Sequence, residues 1–386
     1  MPTLISLLGK GRNDSETGYR KASYRFADGT LRETPFFGLA LAEQIQPGRL
    51  VVAGTAGSMW DVLLQQHAAE DDTVLQLMEA VEKEAVTQQL LTACESHLSQ
   101  QLGRPVTCLL IPYARNEDEQ VAILQALALK LSKGEKVVLD VTHGFRHLPM
   151  LALVAARYLA RVQQVQVEEV YYGALEMTDQ QGTPVLALGS MLQMLDWVEA
   201  LATYDKDGDY GVFAPLLAAD GMDRRQAAVL QQAAFYERTG NPVQAQQKLG
   251  SVIESVKSHS GALGRLFRDT LARRISWFRK GNRSEWERAL GNAYLERGDY
   301  LRAATYLYES SVTLATLQQG WGDINDFAAR KDAFKDSRNE HSQQLEYLRN
   351  SLCHGVRPLG DNTAAHLQSE ERLRKRLQEL SEATQL

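Results

Sequence analysis

The chain has 386 residues, of which 44% are hydrophobic and 23% charged, and its formal net charge is −6. This length predicts two domains rather than one core, and the acidic balance argues against a protein that coats nucleic acid through bulk positive charge. No apolar run approaches the roughly 20 residues of a membrane span, and the first residues lack the basic flank of a secretory signal, so we expect a cytoplasmic protein without a membrane partner.

The cysteines and histidines do not form a metal-binding pattern. Cys94, Cys108 and Cys353 are far apart, which favours a reduced compartment. His143 and His147 are four residues apart, but no cysteine or acidic ligand accompanies them. No metal or other cofactor is therefore predicted.

The first half of the chain alternates short β-rich segments with longer helical ones, which predicts a largely parallel sheet covered by helices. The segment 19–34 departs from this alternation and is typical of a β-hairpin with an Asp28-Gly29 turn. The predicted strands are Thr3–Leu8, Leu50–Ala53, Val106–Ile111, Lys136–Val141 and Val167–Tyr172, with helical patterns over 73–102 and 118–131.

From about Ser190 only helical patterns remain, separated by glycine-rich breaks. We therefore predict a first domain at residues 1–185 and an all-helical second domain at 186–386. Its helices are predicted at 191–204, 223–239, 242–257, 264–279, 285–297, 300–318 and 343–353.

Basic residues cluster in one part of the helical half. This cluster could attract phosphates or form a solvated helix face, and the sequence leaves both interpretations open. Its basic members are Arg265, Arg268, Arg273, Arg274, Arg279, Lys280, Arg283 and Arg288, against acidic Asp269, Glu285 and Glu287.

Three predicted strands are followed by small, hydroxyl and basic residues. Open parallel sheets bind ligands at the carboxyl ends of their strands. Small residues let the backbone approach a ligand, hydroxyls bind phosphate, and Lys10 or Arg146 can neutralise it. An anion pocket is predicted, with plain tight turns as the alternative. The three segments are residues 9–13, 54–61 and 140–147.

These glycine segments differ from the common nucleotide-binding patterns. Residues 54–58 lack the lysine of a P-loop, and residues 9–12 lack the third glycine of a dinucleotide fingerprint. A nucleoside triphosphatase or a dehydrogenase is therefore disfavoured.

The segment 345–358 places three polar side chains on one predicted helical turn. Leucines recur there at helical spacing, and a glycine and a proline follow as stop signals. Asn350 and His354 share a face, and Arg349 is long enough to reach the same space. His354 is predicted in the last turn, where the helix dipole favours the imidazolium, so it is a candidate proton donor near neutral pH.

Several of these segments resemble known domains. Asp-Val-Thr-His-Gly-Phe-Arg-His-Leu-Pro at 140–149, Gly-Thr-Ala-Gly-Ser-Met-Trp-Asp at 54–61 and Tyr-Arg-Phe-Ala-Asp-Gly-Thr at 24–30 resemble the CARF domain of CRISPR-associated proteins from type III systems. Arg-Asn-Ser-Leu-Cys-His at 349–354 is similar to the HEPN ribonuclease motif. The resemblance implies an α/β Rossmann-like CARF domain with a mostly parallel sheet and a β-hairpin, followed by an all-α HEPN domain.

The resemblance also implies a function, because proteins of this family are endoribonucleases switched on by cyclic oligoadenylate, which binds across a CARF dimer. The similarity is closer to the group that uses cyclic tetra-adenylate than to the hexa-adenylate group. The implied catalytic residues are Arg349, Asn350 and His354. The implied ligand-binding residues are Gly9, Lys10, Gly11, Thr55, Ser58, Met59, Trp60, Thr142, His143, Gly144, Phe145 and Arg146.

The residues at 349–354 suit cleavage of single-stranded RNA without a metal, because RNA carries its own nucleophile, the 2′-hydroxyl. His354 can transfer a proton, Arg349 can hold the developing phosphorane charge, and Asn350 can orient the phosphate or the histidine. Both an acid and a base are needed, and one chain offers one such histidine. We therefore expect an obligate homodimer, with higher assembly left open, and products with a 2′,3′-cyclic phosphate and a 5′-hydroxyl.

Two alternatives remain. Residues 289–309 resemble half of a tetratricopeptide repeat, which would suit a non-catalytic ligand-sensing scaffold, although only one copy is visible. A CARF-type transcription regulator is the other alternative, but no basic recognition helix is evident near the C-terminus.

Overall fold

The computed structural model describes residues 1–11, 13–14, 18–64, 72–145, 147–279, 281–320, 323–355 and 361–383. The chain divides into two compact units, Met1–Gln193 and Met194–Leu386. The division falls inside a helix, a little after the boundary drawn at residue 185.

The first unit combines a sheet with helices. Its strands are β1 (Thr3–Leu8), β2 (Asn13–Asp14), β3 (Gly18–Tyr19), β4 (Ala22–Arg25), β5 (Leu31–Thr34), β6 (Arg49–Gly54), β7 (Val106–Leu110), β8 (Lys136–Asp140), β9 (Gln166–Gly173) and β10 (Thr183–Ala187). Its helices are α1 (Phe37–Ile45), α2 (Asp72–Glu82), α3 (Gln88–Leu102), α4 (Glu117–Leu129) and α5 (His147–Val162), and α6 (Gly189–Asp207) contains the boundary between the units.

Within the described residues, eight strands form one sheet in the order β5-β4-β10-β9-β8-β1-β6-β7. The run from β9 to β7 is parallel throughout, whereas β10 is antiparallel to β9 and joins the β4–β5 hairpin to the sheet. The predicted mostly parallel sheet and hairpin are confirmed.

Strand β1 is the middle one of the five parallel strands and is apolar on both faces. Leu4 and Leu8 pack into the core on one side, and Ile5 and Leu7 into the core on the other. Such two-sided burial is typical of a parallel strand between helical layers. The position of β1 between β8 and β6 places the loops after these three strands side by side.

The prediction of one helical segment over residues 73–102 is wrong in one respect, because two helices, α2 and α3, cover it. Glu84 adopts a left-handed conformation with φ of 51° and ends the first of them. Thr87 then caps α3 by accepting a hydrogen bond from the Leu90 amide at 3.3 Å. Glycine is the usual residue at a left-handed helix end, so its absence concealed the break.

The second unit is helical throughout its described residues. Its helices are α7 (Phe213–Ala219), α8 (Arg224–Arg238), α9 (Pro242–Lys257), α10 (Gly264–Arg274), α11 (Arg283–Glu296), α12 (Tyr300–Gln319), α13 (Phe327–Asp336), α14 (Glu340–His354), α15 (Asp361–Leu367) and α16 (Glu370–Ala383). The single helix predicted over 264–279 is wrong, because α10 ends at Arg274 and a 3₁₀ turn covers Ser276–Arg279. This turn lets Trp277 reach the core.

A buried carboxyl group lies in the core of the second unit. The Trp277 indole donates to Glu237 Oε2 at 2.8 Å, and the Tyr294 hydroxyl donates to Oε1 at 3.1 Å. The Tyr306 hydroxyl donates to the Glu237 backbone carbonyl, so one residue ties α8 to α11 and α12. Removal from water raises the pKa of Glu237 to about 7, although these hydrogen bonds oppose the shift.

This raised pKa predicts a pH-dependent stability. Between the ordinary pKa of 4.5 and a pH of about 7, Glu237 is protonated in the folded chain and ionised in the unfolded chain. The stabilising contribution is therefore complete below the ordinary pKa and is lost as the pH rises through about 7. We expect Glu237→Gln to gain about 1 to 3 kcal/mol relative to the unmodified chain between about pH 5 and about pH 8. Denaturant unfolding at the two pH values measures this, with exposed Glu117→Gln as the control. An equal effect of Glu237→Gln on stability at both pH values would contradict the raised pKa of Glu237.

Candidate functional site

The three predicted loops meet at the carboxyl edge of the sheet. Strand β1 lies between β8 and β6 and is parallel to both, so Ser6 is opposite Asp140 and Leu8 is opposite Gly54. The loops that follow these positions are therefore neighbours, as expected for a ligand site in an open parallel sheet.

A pocket of about 220 Å³ lies between these loops. Most of its lining comes from predicted ligand-binding residues, with one apolar side chain from β1 and one from α5. The lining residues are Leu8, Gly9, Lys10, Thr55, Ser58, Gly144, Phe145 and Leu148.

Two glycines allow the loops after β1 and β8 to touch. A Cβ atom on Gly9 would lie 2.4 Å from the backbone nitrogen of Gly144 and 3.0 Å from its Cα. Gly144 has φ of 112°, which L side chains rarely adopt. These positions require glycine for local geometry, whatever ligand the pocket holds.

The Ser58 hydroxyl joins the loops after β1 and β6. It accepts a hydrogen bond from the Thr55 amide at 2.9 Å and donates to the Leu8 carbonyl at 2.7 Å. The Met59 amide donates to the Gly9 carbonyl at 2.9 Å, which adds a second link between the same loops. Both the Ser58 and Thr55 side chains are buried, so they shape the pocket wall and also hold it.

Several predicted ligand-binding residues support the loops without lining the pocket. Trp60 is fully buried, and its indole donates to the Thr55 carbonyl at 2.8 Å. Met59 is also buried, and its sulfur is 2.6 Å from the position that a Cβ atom on Gly11 would take. Arg146 lies outside the described residues.

The loop after β8 is fixed by buried polar contacts. Asp140 accepts hydrogen bonds from the Ser6 hydroxyl and, at 2.9 Å, from the Thr142 amide. The Thr142 hydroxyl accepts from the Gly173 amide at 2.8 Å. Burial raises the pKa of Asp140 to about 6. Thr142 thus serves the loop rather than the pocket surface.

His143 has a structural partner in α1. Its Nε2 accepts a hydrogen bond from the Phe37 amide at 3.1 Å, at the first turn of that helix. Burial lowers the pKa of His143 to about 4, so the ring is neutral near pH 7. His147 Nε2 is 2.9 Å from the Tyr113 carbonyl oxygen.

An aromatic surface borders the pocket and was not anticipated. Phe145 is 45% exposed, and its ring centroid is 5.8 Å from that of Tyr113 and 5.9 Å from that of His147. The Arg115 guanidinium lies 4.5 Å from the Tyr113 ring centroid. Tyr113 follows β7, the strand beside β6 in the sheet. Its position shortly after a strand is the sequence signal that could have identified it as a residue near the pocket. Such a surface can stack nucleobases.

The second predicted site lies on α14. Arg349 and Asn350 are half-buried, and the Arg349 guanidinium donates to Asn350 Oδ1 at 2.8 Å. His354 is exposed in the last helical turn, as predicted. Gly355 follows with φ of 68° and ends the helix.

Tyr308 on α12 is a functional candidate that the sequence did not reveal. The Arg349 guanidinium carbon lies 4.5 Å from the Tyr308 ring centroid, a cation–π contact. Phe334 packs edge-on against the same ring with centroids 5.2 Å apart. Tyr308 therefore holds the arginine next to Asn350.

Part of the basic cluster at 265–288 is paired with nearby carboxylates. Arg274 pairs with Asp205, and Arg279 pairs with Glu254 at 2.7 Å. Arg283 forms an ion pair with buried Glu287 at 2.7 Å. Lys280 lies outside the described residues. The paired arginines are therefore less available to phosphates.

Within the described part of the chain, no three His, Cys, Asp or Glu side chains are grouped to hold a metal ion. None of the described helices is both long and apolar enough to cross a bilayer.

Residues 3–176 match the family model described as "CRISPR system endoribonuclease Csx1, CARF domain". The first unit is therefore similar to a CARF domain. The chain is also 25% identical over 263 residues to "CRISPR-associated protein MJ1674" from Methanocaldococcus jannaschii, a match that covers 61% of this chain and 41% of that relative. Because the first unit is half of the chain, the match reaches into the second. Together these findings show that the chain is similar to CRISPR-associated proteins and that its first unit resembles a CARF domain.

The contact between Gly9 and Gly144 predicts the effect of one methyl group. Gly9→Ala should separate the two loops, lower stability by about 1 to 3 kcal/mol and weaken binding of a pocket ligand, because backbone atoms cannot yield to the new Cβ. Gly250→Ala is the matched control, since a Cβ there meets nothing within 4 Å on a helix. The thermal unfolding midpoint of Gly9→Ala should lie below that of the unmodified chain, and the midpoint of Gly250→Ala should lie above it. A neutral Gly9→Ala would refute the contact.

Proposed function

We propose that this chain is a cyclic-oligoadenylate-activated endoribonuclease of type III CRISPR antiviral defence that cuts single-stranded RNA without a metal. The observation that carries the proposal is the pocket at the carboxyl edge of a sheet whose sequence matches the CARF domain of an endoribonuclease family. The residues at 349–354 supply the reaction chemistry. Under this proposal the second unit is a HEPN nuclease domain.

Cyclic oligoadenylate suits the chemistry of the pocket. Its phosphodiesters can approach the glycine backbone at Gly9 and Gly144, and Lys10 supplies a positive charge. Its adenines can stack on the surface formed by Tyr113 and Phe145. Cyclic tetra-adenylate is favoured over the hexa-adenylate, on the family resemblance.

Cleavage would proceed by attack of the ribose 2′-hydroxyl on the adjacent phosphorus. One His354 takes the hydroxyl proton, and a second histidine protonates the leaving 5′-oxygen. Arg349 stabilises the charge on the phosphorane oxygens, and Asn350 orients the phosphate. The products carry a 2′,3′-cyclic phosphate and a 5′-hydroxyl.

A homodimer supplies the second histidine, since each chain contributes one His354. A twofold dimer also forms a symmetric site for a symmetric ring, and both sites would then be complete only in the dimer. Activation requires that the ring bind one state of the dimer more tightly than the other, and the gain in activity is limited by that difference.

Two alternatives use the same pocket. A non-catalytic sensing scaffold would bind the ring and leave RNA intact. The segment 289–309, from the second half of α11 to the first half of α12, resembles half of a tetratricopeptide repeat and favours this alternative. A CARF-type transcription regulator would instead change its affinity for duplex DNA when the ring binds.

The first test of this proposal is removal of the imidazole on α14. His354→Ala should lower cleavage of single-stranded RNA by about 100-fold or more in a metal chelator with saturating cyclic tetra-adenylate, because proton transfer is lost. Binding of the ring should be unchanged. Exposed His341 lies on the same helix, so His341→Ala is the matched control. Undiminished cleavage by His354→Ala would remove this residue from the mechanism.

The contact with Arg349 predicts a graded effect at Tyr308. Tyr308→Phe keeps the aromatic face below the guanidinium and should retain most activity, whereas Tyr308→Leu should lower kcat by roughly tenfold because Arg349 loses its position. Steady-state cleavage measures both, and ring binding and the thermal unfolding midpoint control for folding. Equal activity of the two variants would show that the cation–π contact does not matter.

A further inference from the structure

Lys10, the basic residue among those that line the pocket, is paired with a carboxylate from another element. Its Nζ lies 2.6 Å from Oε1 of Glu84, which follows α2. The side chains are 67% and 49% exposed. A bound phosphate would therefore meet a cation that already has an anionic partner.

The backbone at Glu84 offers no reason for a glutamate. The Glu84 amide donates to the Val81 carbonyl at 3.1 Å, and the Ala85 amide donates to the Ala80 carbonyl at 2.8 Å, which terminates α2. Glu84 has the left-handed φ of 51° that such a terminus requires. Glycine satisfies this geometry without the clash of a Cβ. A glutamate therefore occupies a position at which the backbone geometry favours glycine.

The Glu84 side chain lies where the loops of the sheet edge converge. A Cβ atom on Gly57, in the loop after β6, would stand 3.2 Å from its carboxyl carbon and 3.0 Å from the Tyr113 hydroxyl. With Lys10 in the loop after β1, the carboxylate thus borders the loops of three adjacent strands.

We propose that Glu84 is a built-in counter-ion of Lys10 that competes with ligand phosphate for the ammonium group. This inference rests on the proposed function in taking the ligand to be cyclic oligoadenylate. The exchange is feasible because exposed ion pairs are weak and readily broken. Glu84 thereby lowers affinity for anions and restricts the pocket to ligands whose other contacts outweigh the lost pair.

The proposal predicts that removal of the Glu84 charge tightens ligand binding. Glu84→Gln should bind cyclic tetra-adenylate roughly three- to tenfold more tightly at low salt, and the difference should shrink as salt screens the charges. Glu84→Gly should show the same gain and also unfold at a higher temperature, because it relieves the left-handed residue. Glu79→Gln is the matched control, since Glu79 is also exposed near the end of α2 but pairs with Lys83 at 3.2 Å.

Equilibrium titration of the full chain and its variants with the labelled ring decides the matter. Unchanged or weaker binding by Glu84→Gln, with the unmodified chain binding normally, would overturn the counter-ion role and leave the proposed function standing. Binding by none of the proteins to either the tetra- or the hexa-adenylate would overturn the proposed ligand and this role together. If Glu79→Gln increased the affinity for the ring as much as Glu84→Gln, the effect would come from the change in net charge alone, which would also overturn the proposal.

Discussion

The pocket of the first unit depends on the missing side chain at Gly9. Because a Cβ there would stand 2.4 Å from the Gly144 nitrogen, the loops after β1 and β8 can approach only as backbone against backbone. The Ser58 hydroxyl ties the loop after β6 to the same place through the Leu8 carbonyl. Three loops from adjacent strands are thus held before any ligand arrives, which is the preorganisation that a selective anion site requires.

The residues around each candidate site divide into supporting and exposed groups. Trp60 and His143 are committed to the Thr55 carbonyl and the α1 backbone, whereas Lys10 is available at the surface apart from its pair with Glu84. On α14, Arg349 is held by a neighbouring ring and His354 is exposed. In both units a few exposed groups carry the chemistry that we propose, and buried neighbours determine where those groups lie.

Much of the first unit could be predicted, because strands buried on both faces have continuous apolar runs and their loops follow at known positions. The break after α2 was hidden because Glu84 occupies a glycine position. Pairings between distant elements, such as His143 with Phe37 and Arg349 with Tyr308, could not be read from local patterns. For the same reason, motif resemblance alone did not separate residues that line the pocket from residues that support it.

We propose that one cyclic tetra-adenylate ring, bound by the first units of two copies of the chain, switches on RNA cleavage by their second units. The most direct test titrates RNA cleavage by the full chain with cyclic tetra-adenylate and, separately, with cyclic hexa-adenylate, in a metal chelator and at protein concentrations well above the dissociation constant. We predict activity that rises from a low basal level and saturates at one ring per two chains. Saturation at one ring per chain, or no activation by either ring size, would contradict activation through a shared ring.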